Sequence, residues 1–248
     1  MKSNDFEWNI GFNFAHNENK ITKLLKNSDP TYPGVYVGGI SGGVGTTIQN
    51  IQVGYPINSF FVFQQVYDPK GKPIEGLYTD LSGQGGTVTA NNLNKMRYYK
   101  PQPDYLIGIN SRVNYKNWDF SFQGRFSFGN YVYNNNQSSK AFYTAMYNQA
   151  GFFNNLPTGI SDTNFVLPQY YSSYYVQNAS FFKMDNISLG YSFNELFTQK
   201  LKARFSFTVQ NAFYITKYKG VDPEVDGGID NNIYPRSRVY QFGISLTY

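Results

Sequence analysis

The segment YLIGINSRVNYKNWDFSFQGRFSF, from Tyr105 to Phe128, places a large apolar residue at most second positions and polar or small residues between them. A period of two predicts a β-strand with one apolar face and one polar face. Lys116 and Asn117 separate two alternating runs, so the segment is predicted to fold as two antiparallel strands joined by a two-residue hairpin turn.

The same period occurs in four further segments, so we predict six clear strands. Their ranges are Phe6–Ala15, Tyr105–Tyr115, Trp118–Phe128, Asn186–Phe193, Leu201–Gln210 and Tyr240–Tyr248. A weaker seventh strand is predicted within Ile57–Tyr67. The short link from Asn194 to Lys200 makes a second hairpin of the strands on either side of it.

The composition is unusual for a compact soluble domain. Tyr and Phe number 23 and 22, aromatic residues make up 19% of the 248 residues, and charged residues make up only 15%. Soluble domains carry about 25% charged residues. No stretch approaches the 18 consecutive apolar residues of a membrane-spanning helix, but strands that cross a bilayer alternate in polarity and give no such stretch.

The residues that usually carry catalysis or bind metals are scarce. The chain has no cysteine, and His16 is its single histidine, which argues against thiol nucleophiles, disulfides and zinc sites of ordinary composition. The acidic residues between Asp222 and Asp230 are expected to be solvated loop residues. We therefore predict no enzymatic activity, no metal and no cofactor. The net charge of +5 comes without a Lys/Arg run, so nucleic acid is not an expected partner.

The links between the predicted strands alternate between short and long. Two residues join one hairpin and about seven the other, whereas Asp68–Asp104, Gly129–Asn178 and Phe213–Arg236 are long. Outer-membrane barrels have this arrangement, with short periplasmic turns and long extracellular loops. The longest link is rich in Tyr and Asn and carries one predicted short helix at Ser138–Ala150. We predict that it forms a binding surface for a ligand or a lid. The candidate contact residues are Tyr143, Tyr147, Tyr170, Tyr171, Tyr174 and Tyr175.

Two architectures satisfy the alternation. In a soluble sandwich the aromatic face would be the core, and in a membrane barrel it would face lipid while the polar face lines a wet lumen. The mid-strand residues Arg112, Arg125, Lys202 and Arg204 are the candidate lumen-lining residues. Six or seven strands cannot close a barrel, so either further strands lie in Ser28–Gly54 and Asp68–Asp104 or the chain is part of a larger barrel.

Several ordered motifs resemble one family. They are SFFKMDNISLGY (Ser180–Tyr191), VQNAF (Val209–Phe213), TKYKGVDPEV (Thr216–Val225), YPRSR (Tyr234–Arg238) and, upstream, VGYPI (Val53–Ile57). Together they are similar to the C-terminal barrel segments of SusC/RagA-type TonB-dependent transporters.

This resemblance implies an all-β fold: an antiparallel transmembrane β-barrel segment of about six to eight strands within a 22-stranded barrel. Residues 1–248 would be the final third of such a receptor. The family's signal peptide, plug domain and TonB box have no counterpart here, so TonB would act only through N-terminal regions outside this chain. The implied function is import of oligosaccharides or peptides across the outer membrane of a Gram-negative bacterium, with a SusD-like surface lipoprotein as partner.

The last residues resemble a second known signal. Gln241, Gly243, Leu246 and Tyr248 are similar to the pattern that the outer-membrane barrel assembly machinery reads. The C-terminus would then lie on the periplasmic side, and the apolar strand face would contact outer-membrane lipid.

Two further hypotheses stay open at the level of sequence. One is a small self-contained outer-membrane pore or adhesin, with hidden strands bringing the total to eight or ten. The other is a soluble carbohydrate-binding β-sandwich, which requires a buried aromatic face.

Overall fold

A computed structural model describes residues 2–3, 5–27, 29–82, 84–90, 94–147, 150–195, 201–231 and 234–248. The fold is all-β, with short helical turns only. In chain order the strands are β1 (Lys2–Ser3), β2 (Phe6–His16), β3 (Val35–Gly39), β4 (Thr47–Ile51), β5 (Ser59–Phe63), β6 (Gln65–Tyr67), β7 (Pro73–Thr79), β8 (Thr87–Val88), β9 (Lys95–Arg97), β10 (Tyr105–Tyr115), β11 (Trp118–Phe128), β12 (Tyr131–Tyr133), β13 (Val176–Asn178), β14 (Phe181–Phe193), β15 (Lys202–Thr216) and β16 (Val239–Thr247). No helix in these ranges is long and apolar enough to cross a membrane.

Seven strands form one antiparallel sheet, which we call the wall, in the order β1-β2-β10-β11-β14-β15-β16. All six clearly predicted strands lie in it, and the register of the central hairpin pairs Tyr115 with Trp118 and Tyr105 with Phe128. Lys116 in the intervening turn has a φ of +52°, as the primed turns of two-residue hairpins require at their first position. The wall is an open sheet, which agrees with a segment of a larger barrel.

The predicted seventh strand is not part of the wall. Ile57–Tyr67 divides into β5 and β6, which belong to two different small sheets. The strands within 28–54 and 68–104 also pair outside the wall. The prediction that hidden strands complete a small barrel is therefore wrong for the residues that the structure describes.

All long connections leave the wall at one rim. His16 and Phe128 both pair with Tyr105, and Phe181 pairs with Thr216, so residues 17–104, 129–180 and 217–238 start and end at the same rim. The opposite rim carries the turn at Lys116 and the link after Phe193, whose residues 196–200 lie outside the described ranges. The long connections thus lie at one rim of the wall and the short connections at the other, in the order that the sequence predicts.

A β-bulge at Asp185 changes the phase of β14. Phe182 and Met184 lie on the apolar face before it, whereas Ile187 and Leu189 lie on that face after it. One extra residue moves the following side chains to the opposite face. The strand therefore begins five residues earlier than the alternation alone indicates.

The aromatic face of the wall is not covered by any other residue that the structure describes. Phe12 and Phe242 are each 80% exposed. A sandwich would bury this face against a second sheet, so the soluble-sandwich hypothesis is wrong. Eleven-residue strands such as β10 extend about 37 Å, and at a tilt of about 45° they span about 26 Å, which matches the apolar band of outer-membrane barrels.

The three long connections pack on one another and form a second unit, which we call the cap. It contains the sheets β3-β4-β5-β9, β6-β7-β8 and β12-β13. Its buried core joins residues from two connections: Ile48, Phe60, Val62, Tyr133, Phe142, Phe165, Tyr175 and Val176. Ile229 from the third connection packs against it.

The helix predicted at Ser138–Ala150 is shorter and earlier than expected. An α-helix spans Asn135–Lys140, capped by the side chain of Asn134, which accepts from the backbone N–H of Gln137 at 3.0 Å. A separate 3₁₀ turn follows at Tyr143–Met146, and a second α-helical turn spans Ile160–Thr163. The 3₁₀ helices of the remaining cap are Ser173–Tyr175 and Asp226–Gly228.

Candidate functional site

The polar face of the wall carries all four candidate lumen residues. Arg112 and Arg125 lie on this face of the central hairpin, and Lys202 and Arg204 lie on it in β15, opposite Thr247 and Ser245 of β16. Arg112 and Lys202 are exposed and form no ion pair with any residue that the structure describes. The other two are members of ion-pair groups. That this face lines a lumen remains a prediction.

Arg125 belongs to a network of charges at the rim where the wall meets the cap. Its Nη2 lies 2.6 Å from Glu224 Oε1, and its Nε lies 3.3 Å from Asp185 Oδ2. Lys183, which pairs with Arg125 across the strands, places its ammonium 3.2 Å from Glu224. Arg236 adds a third cation, 2.7 Å from Glu224 and 3.2 Å from Asp222.

Glu224 is the centre of this network, because its carboxylate contacts all three cations. It comes from the third connection of the cap, whereas Arg125 and Lys183 come from the wall. Lys183 is almost fully buried, and a buried charge is tolerated only when it is paired. The network therefore fixes the connection 217–238 to the polar face of the wall. The acids Asp222 and Glu224 are not simply solvated, as the sequence suggested, since Asp222 is also buried.

The same connection has a second anchor inside the cap. The Tyr218 hydroxyl donates to Asp230 Oδ2 at 2.7 Å, and both residues are buried. Burial raises the pKa of Tyr218, so the hydroxyl keeps its proton and remains a donor. The backbone N–H of Asp230 donates to the carbonyl of Tyr133 at 2.9 Å, which joins this anchor to the cap core.

Arg204 pairs with Asp119 across an intervening strand. Its Nη2 lies 2.7 Å from Asp119 Oδ1 and its Nε lies 3.1 Å from Oδ2, although β14 runs between β11 and β15. The strand between them presents Gly190, where a Cβ would overlap both side chains. A glycine at this position lets two charges meet over the sheet near the short-turn rim.

The six candidate tyrosines of the longest connection are not equivalent. Tyr143 and Tyr147 are exposed, whereas Tyr170, Tyr171 and Tyr174 are half-buried. Tyr175 is fully buried in the cap core and presents no surface to a ligand, so its prediction as a contact residue is wrong. An apolar ring in a core is stabilised by removal from water, which is the role of Tyr175 here.

The half-buried tyrosines have structural partners in the cap. The Tyr170 hydroxyl donates to the carbonyl of Gly42 at 2.6 Å. The ammonium of Lys95 lies 3.3 Å from the ring centre of Tyr171, a cation–π contact. Burial lowers the pKa of Lys95 to about 8.

An apolar patch surrounds the exposed tyrosines. Tyr147 and Phe153 have ring centres 5.3 Å apart. The patch consists of six exposed residues: Tyr143, Tyr147, Phe152, Phe153, Val166 and Leu167. Glu75 accepts from the backbone N–H groups of Val166 and Leu167 at 2.8 and 2.9 Å, which holds this part of the chain in place. Exposed apolar patches of this kind mark interaction sites.

The predicted assembly signal lies on the terminal edge strand. Gln241 and Gly243 face the polar side of the wall, opposite Thr208 and Ser206, and Leu246 lies on the aromatic side. Leu246 and Tyr248 are exposed. Among the described residues β16 pairs only with β15. The role of these residues in assembly remains a prediction.

The described residues contain no group of three or more His, Cys, Asp or Glu side chains that could hold a metal ion. The acids of the network are compensated by Arg and Lys.

Comparisons with known proteins identify relatives over nearly the whole chain. No protein-family model matches it. The chain is 43% identical over 258 residues to the TonB-dependent receptor SusC of Bacteroides thetaiotaomicron, covering 98% of this chain and 25% of SusC. It is 26% identical to the TonB-dependent receptor P3 of Formosa agariphila, covering all of this chain and 27% of that protein.

Solved structures show the same fold. The RagAB peptide transporter gives a TM-score of 0.73 at 25% identity, covering 100% of this chain and 28% of that chain. The RagAB peptide importer in its closed-closed state gives a TM-score of 0.74 at 23% identity, with the same coverage. The chain spans about a quarter of the length of the curated relatives it matches, rather than the predicted third. These relatives are receptors and transporters, not enzymes.

Proposed function

Because this chain is a segment of a SusC/RagA-type TonB-dependent receptor of the outer membrane, we propose that residues 1–248 form the C-terminal part of its β-barrel. The receptor imports oligosaccharides or peptides. The wall contributes membrane-spanning strands, and the cap contributes part of an outer vestibule. The observation that carries this proposal is the wall itself, with one exposed aromatic face, one polar face and every long connection at one rim.

Each face of the wall has its own role in this proposal. The aromatic face contacts outer-membrane lipid, and the polar face with Arg112, Arg125, Lys202 and Arg204 lines the lumen. The plug domain and the TonB-contacting region would be supplied by a part of the receptor outside these residues. Gln241, Gly243, Leu246 and Tyr248 are the signal for the barrel assembly machinery.

A SusD-like surface lipoprotein is the proposed partner of the cap. The apolar patch around Tyr147 and Phe153 supports this, because rings packed on a rim of long loops suit contact with a second protein. The neighbouring Tyr143 then lies where a ligand held between receptor and lipoprotein would pass. The solved RagAB structure is that of a peptide transporter, but this chain has a higher identity to SusC, whose name gives no substrate. Both oligosaccharides and peptides therefore remain proposed substrates.

Two single-cysteine variants of the full-length receptor test the orientation. Val44→Cys lies in the cap at a fully exposed position, and Asn117→Cys lies in the two-residue turn at the other rim. This chain has no cysteine of its own. A maleimide that cannot cross the outer membrane should label Val44→Cys in intact cells, and should label Asn117→Cys only after the cells are opened. Labelling of Asn117→Cys in intact cells would contradict the proposed orientation.

Uptake measurements test the transport function. Cells that express the full-length receptor should accumulate a labelled oligosaccharide or peptide mixture, and cells without the receptor should not. Equal accumulation of every labelled mixture by the two strains would contradict the function but would leave the fold and orientation standing.

A further inference from the structure

A cleft lies where the wall meets the cap. Its volume is about 480 Å³, within the range of roughly 300–1,000 Å³ that is usual for small-ligand sites. Three tyrosines and three charged residues form most of its lining: Tyr55, Arg97, Tyr99, Lys100, Asp104 and Tyr131. No Leu, Ile, Val or Met is among the described residues that line it.

Two stacked tyrosine rings form one side of the cleft. Tyr99 and Tyr131 stack with centres 3.8 Å apart and planes 4° apart. Tyr99 has a φ of +64°, a backbone conformation that is unfavourable for an aromatic residue. It is held there because the backbone N–H of Phe60 donates to the Tyr99 carbonyl at 3.1 Å. Strained residues of this kind persist where the surroundings fix them, and they concentrate at functional sites.

Arg97 supplies an uncompensated charge in the cleft. Its guanidinium carbon lies 4.0 Å from the ring centre of Tyr55, and its Nη2 donates to Asn50 Oδ1 at 3.0 Å. Its Nε is buried without a hydrogen-bond partner. No carboxylate of the described residues forms an ion pair with Arg97. A buried donor without an acceptor costs free energy, and a ligand oxygen would relieve that cost.

Lys100 and Asp104 complete the cleft. The Lys100 ammonium lies 2.6 Å from Asp104 Oδ1, so this pair offers both a donor and an acceptor to a ligand. Arg97 can only donate. The cleft therefore presents flat rings together with mixed donors and acceptors, and it offers no aliphatic pocket.

We propose that this cleft binds a pyranose unit of a carbohydrate ligand, with Tyr99 and Tyr55 contacting the apolar ring face and Arg97 donating to the sugar oxygens. A pyranose has a C–H face that packs on an aromatic ring, and hydroxyl groups that both donate and accept. An aliphatic side chain of a peptide would instead require aliphatic lining, which this cleft lacks. This inference rests on the proposed import function and assigns a substrate class to one part of the vestibule.

Calorimetric titration of the full-length receptor tests the site. The probes are a neutral gluco-hexasaccharide and a hexagalacturonate, which distinguish a hydroxyl from a carboxylate as the partner of Arg97. We expect the receptor to bind at least one probe, and Tyr99→Ala to weaken that binding about tenfold through loss of the ring contact. Arg97→Gln should weaken it by about tenfold or more, because a charged donor is lost. If a carboxylate is the partner, Arg97→Gln also removes a preference for the galacturonate.

Two variants serve as controls. Tyr99→Phe keeps the ring and should bind as the unaltered receptor does. Tyr234→Ala removes an exposed tyrosine of another connection and should also leave the affinity unchanged. Arg97→Gln tests the site independently if Tyr99→Ala rearranges the local backbone.

Equal affinity of the unaltered receptor, Tyr99→Ala and Arg97→Gln would overturn the inference, as would failure of the unaltered receptor to bind either sugar. Binding of a pentapeptide that Tyr99→Ala weakens, without sugar binding, would show a peptide site instead. Uptake measurements separate the two proposals. Normal sugar uptake by cells that carry either cleft variant would overturn the sugar site in the cleft but not the proposed import function. If cells with the unaltered receptor take up no mixture, the proposed import function is overturned.

Discussion

The wall and the cap use the same kinds of residues in opposite ways. In the wall, Phe12 and Phe242 are exposed, and the sheet is held by regular pairing of strands of nine to fifteen residues and the short edge strand β1. In the cap, Phe60 and Tyr175 are fully buried, and the longest strand has seven residues. In the proposed receptor, lipid would therefore cover the rings of the wall, whereas the cap covers its own rings.

This difference predicts different responses to mutation. A change inside the cap should loosen the cap without affecting the wall, and a change at the network should uncouple the two. The following variants are made in the full-length receptor.

The largest effect is expected at Gln65, which lies at the centre of the buried polar contacts of the cap. Its amide donates to the carbonyls of Ile74 and Leu77 at 2.7 and 3.2 Å, and its Oε1 accepts from the Ser172 hydroxyl at 2.6 Å. Gln65→Leu leaves these groups without partners, at a cost of about 4 kcal/mol. Hydrogen exchange should accelerate in the cap while the wall strands keep their protection.

Gln84→Leu is the matched control for Gln65→Leu, because Gln84 is exposed, and it should leave exchange unchanged. Equal acceleration in the wall and the cap of Gln65→Leu would show that the two regions unfold as one unit.

The next effect is expected at Glu224, the centre of the charge network. Glu224→Gln leaves Arg125, Lys183 and Arg236 facing one another with less compensation, at a cost of about 3 kcal/mol. Residues 217–238 should detach from the wall and become accessible to a protease, which mass spectrometry of the cleavage products would detect.

The control for Glu224→Gln is Asp226→Asn, an exposed acid of the same connection. It should leave the cleavage pattern unchanged. Cleavage that is the same in both variants and in the unaltered receptor would show that the network does not hold the connection.

The smallest effect is expected at Gly190. Gly190→Ala places a methyl group where Arg204 and Asp119 meet, so it should break their pair at a cost of about 1 kcal/mol, as is usual for partly exposed pairs. A double-mutant cycle with Arg204→Met checks the cause. The cost of Gly190→Ala should fall in the Arg204→Met background, and an unchanged cost there would place its origin in the overlap with Asp119 or in the backbone.

The difference between the wall and the cap also explains how much of each could be predicted from the sequence. The period of two identified the wall because each wall strand presents one face to one environment. It missed residues 181–185, since the bulge at Asp185 interrupts the alternation, and with them it missed Lys183. It placed Arg125 on the polar face but could not identify Glu224 as its partner, because the two lie on different elements far apart in the chain.

Most of the cap's structure could not be predicted from the sequence. Several of its pairings join residues far apart in the sequence, as Phe61 pairs with Arg97 and Phe63 with Ser172. Such contacts leave no periodic signal in a short strand. For the same reason, the buried Tyr175 and the exposed Tyr147 look alike in the sequence, although one is core and the other is surface.

The most direct test of the central claim is a spin-label scan of β11 in the full-length receptor in a lipid bilayer. Cysteines are introduced one at a time from Phe120 to Phe126 and labelled with a nitroxide. We expect collision with lipid-soluble oxygen to peak at 120, 122, 124 and 126, and collision with a water-soluble nickel complex to peak at 121, 123 and 125. The absence of a period of two, or the opposite phase, would contradict the claim that the aromatic face of the wall contacts lipid.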